Sequence, residues 1–364
     1  MKVLLLGNVD NNVGDDLILW AIIKKLSECE GIEIYLNTPK ESGYSFAGKG
    51  VKTVALDYTS LNDAYDIIKG YNAIILAGGS LFKLNSFRIT LHYIKVFLML
   101  FFYKLCGKKL YLIGCNVGPI TSKLGWIVVG LIFKIFNLVT VRDTFSYNKM
   151  KRFKKKNLYL APDLSFLYAE DFKHYVRVRS PNVLKLGISV YNLRSEIGPK
   201  FLGKMANVID LFLENPGREV VLFAFSTGVE KDQDACYTLK QLCKHKESIE
   251  ICEYRGDFEN FVSKLAKCDV FIGIRFHSLI LSLILNVPCL PISYSVKCEN
   301  FLRDIGYYRF FTIEDFINTS ESDIAVRLLS GDVLSAFPLK SYAEMSRLHL
   351  DLLVENLCKK NINF

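Results

Sequence analysis

The chain has 364 residues, 51% hydrophobic and 23% charged, with 23 glycines and 9 prolines. That composition excludes a disordered or collagenous chain, and the length asks for about two domains, each able to bury its own core. The formal charge of +9 suits anionic partners such as phosphorylated metabolites, anionic lipid or nucleic acid, without choosing among them.

The opening MKVLLLGN carries a short apolar run that soon meets Gly, Asn and Asp, so it predicts a first β-strand rather than a signal peptide. From there short apolar runs alternate with helix-length amphipathic stretches, the pattern of parallel βαβ units. Strands are expected at 3–6, 32–36, 51–56, 74–77, 110–115 and 138–141, with helices at 15–28, 61–69, 89–106, 124–136 and 146–153. A second series places strands at 186–190, 220–225, 249–252, 270–274 and 289–292, with helices at 200–213, 230–243, 258–267 and 278–285. The polar, basic stretch 168–181 separates the two series. The expected organisation is a Rossmann-like domain over 1–175, a second over 182–335, and a C-terminal segment, 336–364, whose helix at 342–357 packs back toward the first domain. This is an α/β fold of two Rossmann-like domains, with a ligand cleft expected between the carboxyl ends of their sheets.

Membrane spans need about 18 uninterrupted apolar residues, and the best candidates, 96–103 and 125–136, are too short. The stretch 83–109 mixes basic residues with VFLMLFFY, so its helix is either a core element or an interfacial one lying on a membrane. The run KRFKKK at 151–156 suggests a solvated face. The ten cysteines include no C-x-x-C pair and suit small buried hydrophobes of a reduced, cytoplasmic protein. No cluster has metal-ligand spacing, so no metal or other cofactor is expected.

Residues just past the strand ends are the ones to weigh for chemistry. After the first strand, GNVDNNVGDD offers Asn12 and Gly14 as loop backbone and Asp15 and Asp16 at a helix start. Two acids there repel a phosphate but accept hydrogen bonds from sugar hydroxyls; a plain turn with helix caps is the competing reading. The dinucleotide fingerprint G-x-G-x-x-G is missing. Gly78, Gly79 and Ser80 end the fourth strand, where small residues let a ligand approach the backbone. Asn116 lies in GCNVGPI after the fifth, and Arg142 in VRD after the sixth, where burial demands a partner such as Asp143 or Asp163. The sharpest signal runs from 268 to 306: a buried strand delivers Arg275 and His277 to the start of an apolar helix, and the next strand ends at Ser293 and Tyr294, shortly before Lys297. A planar guanidinium fork and an ammonium point charge suit a ligand carrying both a carboxylate and a phosphate.

These segments in this order (NNVGDD, GG, NVGP, VRD, APDLSF, RFHSLI with its downstream VP, and YSVK) resemble the polysaccharide pyruvyl transferases from about residue 1 to about residue 306. The resemblance implies a GT-B-like two-domain fold and transfer of a pyruvyl unit from phosphoenolpyruvate to two hydroxyls of a sugar. The acceptor is part of a cell-surface polysaccharide, such as a capsule or exopolysaccharide, or of its lipid-linked precursor; the product is a cyclic ketal, and phosphate leaves. It implies that Arg142, Arg275, His277 and Lys297 hold phosphoenolpyruvate, with His277 moving protons and Asp15 or Asp16 orienting or deprotonating an acceptor hydroxyl. Asn12, Gly14, Gly78, Gly79, Ser80 and Asn116 would line the acceptor side. Phe276 stands where Leu is common in the R-x-H pair, and the chain departs from the family pattern with Asp16 where Glu is frequent and Ser282 where Ala is frequent, two changes that bear on acceptor identity more than on the reaction. Phosphoenolpyruvate, a lipid-linked oligosaccharide and an anionic membrane surface are thus the expected partners, with no nucleic acid, because the relevant cations stand singly at strand ends rather than in an aromatic-interleaved stripe. A glycosyltransferase using a nucleotide sugar and a non-catalytic sugar- or lipid-binding subunit of an envelope assembly complex are the alternatives.

Overall fold

Runs of Val, Ile and Leu buried on both faces form parallel strands, and the amphipathic stretches between them supply the covering helices. The computed structural model describes residues 1–38, 50–154, 156–177, 184–335 and 337–358. The chain divides into two compact units. The first comprises residues 1–9, 15–164 and the C-terminal segment from Tyr342; the second comprises Asp10–Gly14 and Ser165–Ser341.

In the first unit the order is β1 (Lys2–Leu6), α1 (Val13–Ser27, its first two residues grouping with the second unit), β2 (Glu33–Asn37), β3 (Val51–Val54), α2 (Leu61–Gly70), β4 (Ala73–Leu84), α3 (Phe87–Leu105), β5 (Lys109–Ile120), α4 (Lys123–Ile135), β6 (Leu138–Val141), α5 (Thr144–Met150) and β7 (Leu158–Leu160). The sheet is parallel throughout, in the order β3-β2-β1-β4-β5-β6-β7. One core is formed where Leu4, Leu6, Ile74 and Leu112 of the sheet meet Ile67 of α2, Leu100 of α3 and Val129 and Phe133 of α4.

The second unit runs β8 (Lys185–Val190), α6 (Gly198–Leu213), β9 (Glu219–Ala224), α7 (Asp232–Leu242), β10 (Ile249–Glu253), α8 (Phe258–Ala266), β11 (Val270–Gly273), α9 (Phe276–Ile284), β12 (Cys289–Ser293), α10 (Val296–Asp304), β13 (Phe311–Thr312), α11 (Ile313–Asn318) and α12 (Glu321–Leu329). Its parallel sheet has the order β10-β9-β8-β11-β12-β13. In both sheets the strand order therefore reverses once, beside the first strand. Such a switch point opens a crevice at the carboxyl ends of the two central strands, where α/β sheets bind ligands. In the first unit it lies between β1 and β4, and in the second between β8 and β11.

Several expectations need adjustment. The strands expected at 74–77 and 110–115 extend to Leu84 and Ile120, and their pairing slips register beyond Gly79. The single C-terminal helix is two, α13 (Leu339–Ser346) and α14 (Leu348–Cys358). The chain leaves the first unit at Leu164; the expected junction near 175–182 falls partly on residues 178–183, outside the described residues. The KRFKKK run is not a uniformly solvated face: Lys154 is buried, and its Nζ donates to the Phe136 carbonyl at 2.8 Å. Asn12 and Gly14, expected in the first domain, belong to the second unit.

Candidate functional site

At the switch point of the second unit, β11 delivers Arg275 to the N-terminus of α9. A buried guanidinium costs several kcal/mol unless it is paired and fully hydrogen-bonded, and the pairing here is extensive. Nε and Nη2 donate to the two Asp232 carboxylate oxygens at 2.7 and 2.5 Å, and Nη1 donates to Glu230. Asp232, fully buried in the first turn of α7, also accepts from the Asn192 and Ser226 backbone N–H groups at 3.2 and 3.1 Å. Burial alone would lower the Arg275 pKa, but Asp232 and Glu230 hold it above its ordinary value. Burial pushes the Asp232 carboxyl up, and Arg275 pulls it back. Each Asp232 oxygen accepts two N–H groups and so has no place for a proton, and a guanidinium does not deprotonate in proteins, so the pair is ionic. The two carboxylates differ: Asp232 is sealed, whereas the Glu230 side chain is 40% exposed.

Aromatic rings frame this pair. The guanidinium lies 4.4 Å from the Tyr191 ring centroid, and Tyr191 packs on Tyr294 at 4.3 Å. Lys297 Nζ lies 5.3 Å from the Tyr294 centroid and 5.8 Å from that of Phe276. Cations over such faces are attracted by the ring quadrupole, so Arg275 and Lys297 are both held against the Tyr191–Tyr294–Phe276 group. Burial raises the Tyr191 phenol to about 12 and the Tyr294 phenol further; both are neutral hydrogen-bonding groups at physiological pH.

His277, in the first turn of α9, meets the loop Asp10–Gly14. That loop is tied down by Val13 N–H donating to the Phe225 carbonyl at 3.0 Å, Thr227 N–H donating to the Asn11 carbonyl at 3.1 Å, and Val229 N–H donating to Asp10 at 2.9 Å. Asn12 Oδ1 accepts from Gly14 N–H at 3.0 Å. The result presses Gly14 against the imidazole: a Cβ at this position would lie 1.6 Å from His277 Nδ1. Only glycine fits, for a steric reason rather than a conformational one.

The first unit gathers another set at its strand ends. Arg142, after β6, donates from Nη1 to Asp163 and from Nη2 to Asn116 Oδ1, both at 2.6 Å. Asn116 Oδ1 also accepts from Ser80 Oγ at 3.1 Å. Asp163 pairs with Arg142, and Asp143 caps α5, accepting from Ser146 N–H at 2.7 Å. Asp15 accepts from Asn8 Nδ2 at 2.8 Å, and a Cβ on Gly79 would stand 3.0 Å from its carboxylate. A Cβ on Gly78 would lie 2.9 Å from the Gly114 carbonyl oxygen, so close strand packing accounts for that glycine. Asp16 is fully buried, which leaves Asp15 as the acid with solvent access.

A buried relay supports the Arg142 partner. Gly114 N–H donates to Thr140 Oγ1 at 2.8 Å; Thr140 Oγ1 lies 2.6 Å from His349 Nδ1, and His349 Nε2 lies 2.8 Å from the Pro162 carbonyl oxygen. A carbonyl only accepts, so Nε2 carries the proton and Nδ1 accepts from the threonine. Ser346 Oγ reaches the Pro162 and Asp163 carbonyls at 3.2 and 3.0 Å. Helices α13 and α14 thereby fix the backbone that carries Asp163.

The structure thus brings Asn12, Gly14, Arg275, His277 and Lys297 together in one unit, and Asp15, Gly78, Gly79, Ser80, Asn116 and Arg142 in the other. Sequence reasoning missed Glu230, Asp232, Tyr191 and His349. The acidic pair in GVEKD lies in the loop after a buried strand and was the available signal for the first two. Among the described residues no group of three His, Cys, Asp or Glu side chains gathers as metal ligands.

A family model described as polysaccharide pyruvyl transferase matches residues 12–296, well over half of the chain. The amylovoran biosynthesis protein AmsJ of Erwinia amylovora is 25% identical over 260 residues, which is 66% of this chain and 61% of that protein's length. Among solved structures, UDP-GlcNAc 2-epimerase of Neisseria meningitidis aligns with a TM-score of 0.62 at 12% identity, covering 98% of this chain and 100% of the other. A putative UDP-N-acetylglucosamine 2-epimerase of Listeria monocytogenes gives 0.60 at 13% identity over 99% and 97%. A glycosyltransferase of Rickettsia africae gives 0.57 at 11% identity over 99% of both chains. At these identities the structural likeness speaks to the fold, a GT-B-like pair of parallel-sheet domains.

Proposed function

Because the chain belongs to the polysaccharide pyruvyl transferase family, we propose that it transfers a pyruvyl group from phosphoenolpyruvate to two hydroxyls of a sugar. The sugar is part of an exopolysaccharide or capsule, or of its lipid-linked precursor, and the products are a cyclic ketal and phosphate. The observation that carries the proposal is the group in the second unit: Arg275 at the switch point, Lys297 beside it over the shared aromatic rings, and His277 pressed against Gly14.

In this reading Arg275 and Lys297 take the carboxylate and phosphate of the donor. Arg275 is already neutralised, so an incoming anion must replace Glu230 on Nη1, while Asp232 keeps the guanidinium oriented. Exchanging a half-exposed carboxylate for a bound one costs far less than opening the sealed Asp232 pair. The donor's methylene carbon takes a proton, which leaves an oxocarbenium-like centre at C2. One sugar hydroxyl adds to C2 and loses its proton, the C2–O bond to phosphate breaks, and the second hydroxyl adds with loss of its own proton. His277 is the proton carrier of this scheme, since an imidazole's ordinary pKa near 6.5 suits transfer in both directions. Asp15 is the acid that orients the acceptor hydroxyl.

The test mixes purified protein with phosphoenolpyruvate and lipid-linked saccharides ending in galactose, glucose or mannose, following phosphate release and the mass of the sugar. Stoichiometric phosphate release and pyruvyl addition are expected. Absence of turnover across the panel, with tight binding of a nucleotide sugar instead, overturns the proposal in favour of a glycosyltransferase. Glu230→Gln should lower the KM for phosphoenolpyruvate; a raised KM would show that Glu230 serves the donor rather than competing with it.

A further inference from the structure

Helices α3 and α4 follow β4 and β5, pack side by side against one face of the first unit's sheet, and bury Val96, Leu100, Val128 and Val129 there. Their outward faces are also apolar. On α3, Phe87, Leu91, Leu98, Phe102 and Leu105 recur at helical spacing with exposures of 70, 49, 56, 41 and 70%. On α4, Leu124, Ile127 and Leu131 do the same at 43, 52 and 37%. Large exposed apolar residues scattered singly need no account, but two neighbouring stripes form a patch of the kind that marks an interaction surface. No helix among the described residues is long and apolar enough to cross a membrane.

The charge around this patch selects its occupant. From Ile67 to Arg142 the sequence contains no Asp or Glu, while Arg88, Lys95, Lys123 and Lys134 stand exposed on the same two helices. A second copy of the chain docking through this face about a two-fold axis would set cations against cations. An anionic bilayer offers both halves of the complement, an apolar layer for the stripes and phosphate headgroups for the lysines and arginine. We propose that the α3–α4 face docks this protein on the surface of an anionic membrane, lying in the interface without crossing it. The inference goes beyond the pyruvyl transfer reading and stands or falls without it.

Sedimentation of the intact protein with vesicles, which carry no acceptor sugar, tests the docking apart from the reaction. One set is phosphatidylcholine alone and the other an equimolar mixture with phosphatidylglycerol. Binding to the mixed vesicles that weakens with salt is expected, with little to phosphatidylcholine. Lys95→Glu and Lys134→Glu should each weaken it about fivefold or more. Leu98→Gln with Ile127→Gln should weaken it about tenfold, with the Tm and any pyruvyl transfer to a detergent-free soluble acceptor at parental values, because both side chains are more than half exposed. Absent binding, or equal binding to both vesicle types, overturns the proposal. So does a dimer in light scattering that Leu98→Gln dissolves while vesicles leave the protein in solution, which would assign the face to a second copy.

Discussion

The closest approach in the candidate site makes Gly14→Ala its most discriminating perturbation. The new Cβ would fall 1.6, 2.0 and 2.2 Å from Nδ1, Cε1 and Cγ of His277. Ordinary contact begins near 3.4 Å, so the imidazole must retreat by about 2 Å. The loop cannot yield instead without giving up the hydrogen bonds from Val13 to Phe225 and from Thr227 to Asn11. Overpacking of this kind costs about 1–3 kcal/mol, and displacing a reacting group by even about 1 Å can cost about a hundredfold in rate. Alanine is otherwise favoured over glycine by up to about 1 kcal/mol within a helix, so the sign of the effect belongs to the contact. The assay is a stability cycle by urea denaturation together with kcat. Gly14→Ala should lower stability and reduce kcat about a hundredfold, with a smaller effect on the KM for phosphoenolpyruvate. In a His277→Ala background the same substitution should be neutral or slightly stabilising. Additive costs in the cycle, or a parental kcat for Gly14→Ala, would falsify the claim that Gly14 exists to seat His277.

Three other outcomes are expected. Arg275→Lys keeps the charge but loses the fork that grips both Asp232 oxygens; it should lower unfolding free energy by about 3 kcal/mol and weaken phosphoenolpyruvate binding, read by calorimetry and ligand titration. Burial lowers the His349 pKa below its ordinary 6.5, despite the opposing pull of the Pro162 carbonyl and Asp163. Below about pH 6.5 the unfolded chain therefore binds a proton that the native site refuses, so stability should fall as pH falls through that region, and His349→Gln should remove this component of the pH profile. Lys154 is pulled down to about 8 by burial, with Lys104 adding to the shift, from an ordinary 10.5. The native state thus gives up this proton more readily than the unfolded chain; its stability relative to Lys154→Met should rise between about pH 8 and 10.5, by up to about 3 kcal/mol, and equal profiles for the two proteins would rule this out.

Much of this architecture was legible from the chain alone, for identifiable reasons. Strands such as 138–141 and 186–190 are buried on both faces, so their apolar runs stand out against the amphipathic helices beside them. The extensions of β4 and β5 past Ala77 and Cys115 were not visible, because Gly79, Gly114 and Gly118 have positive φ and read locally as turns. The elements from Phe311 to Leu329 escaped because they are short and their apolar residues face a core built elsewhere in the chain. Lys154 was misread since a charge run says nothing about which member turns inward to a carbonyl.

Sequence by itself determined the two βα series, the order of the motifs and the residue types at the strand ends, because hydrophobic periodicity and turn chemistry are local properties. Tertiary structure decided the pairings. Arg275 meets Asp232 across 43 positions of chain, and Thr140 meets His349 across 209. Which carboxylate a buried guanidinium finds depends on the crossover connections that bring β9 and β11 to either side of β8. The early loop containing Gly14 became part of the site for the same reason: its backbone completes hydrogen bonds offered beyond the end of β9, a demand set by the folded sheet rather than by any neighbouring residue.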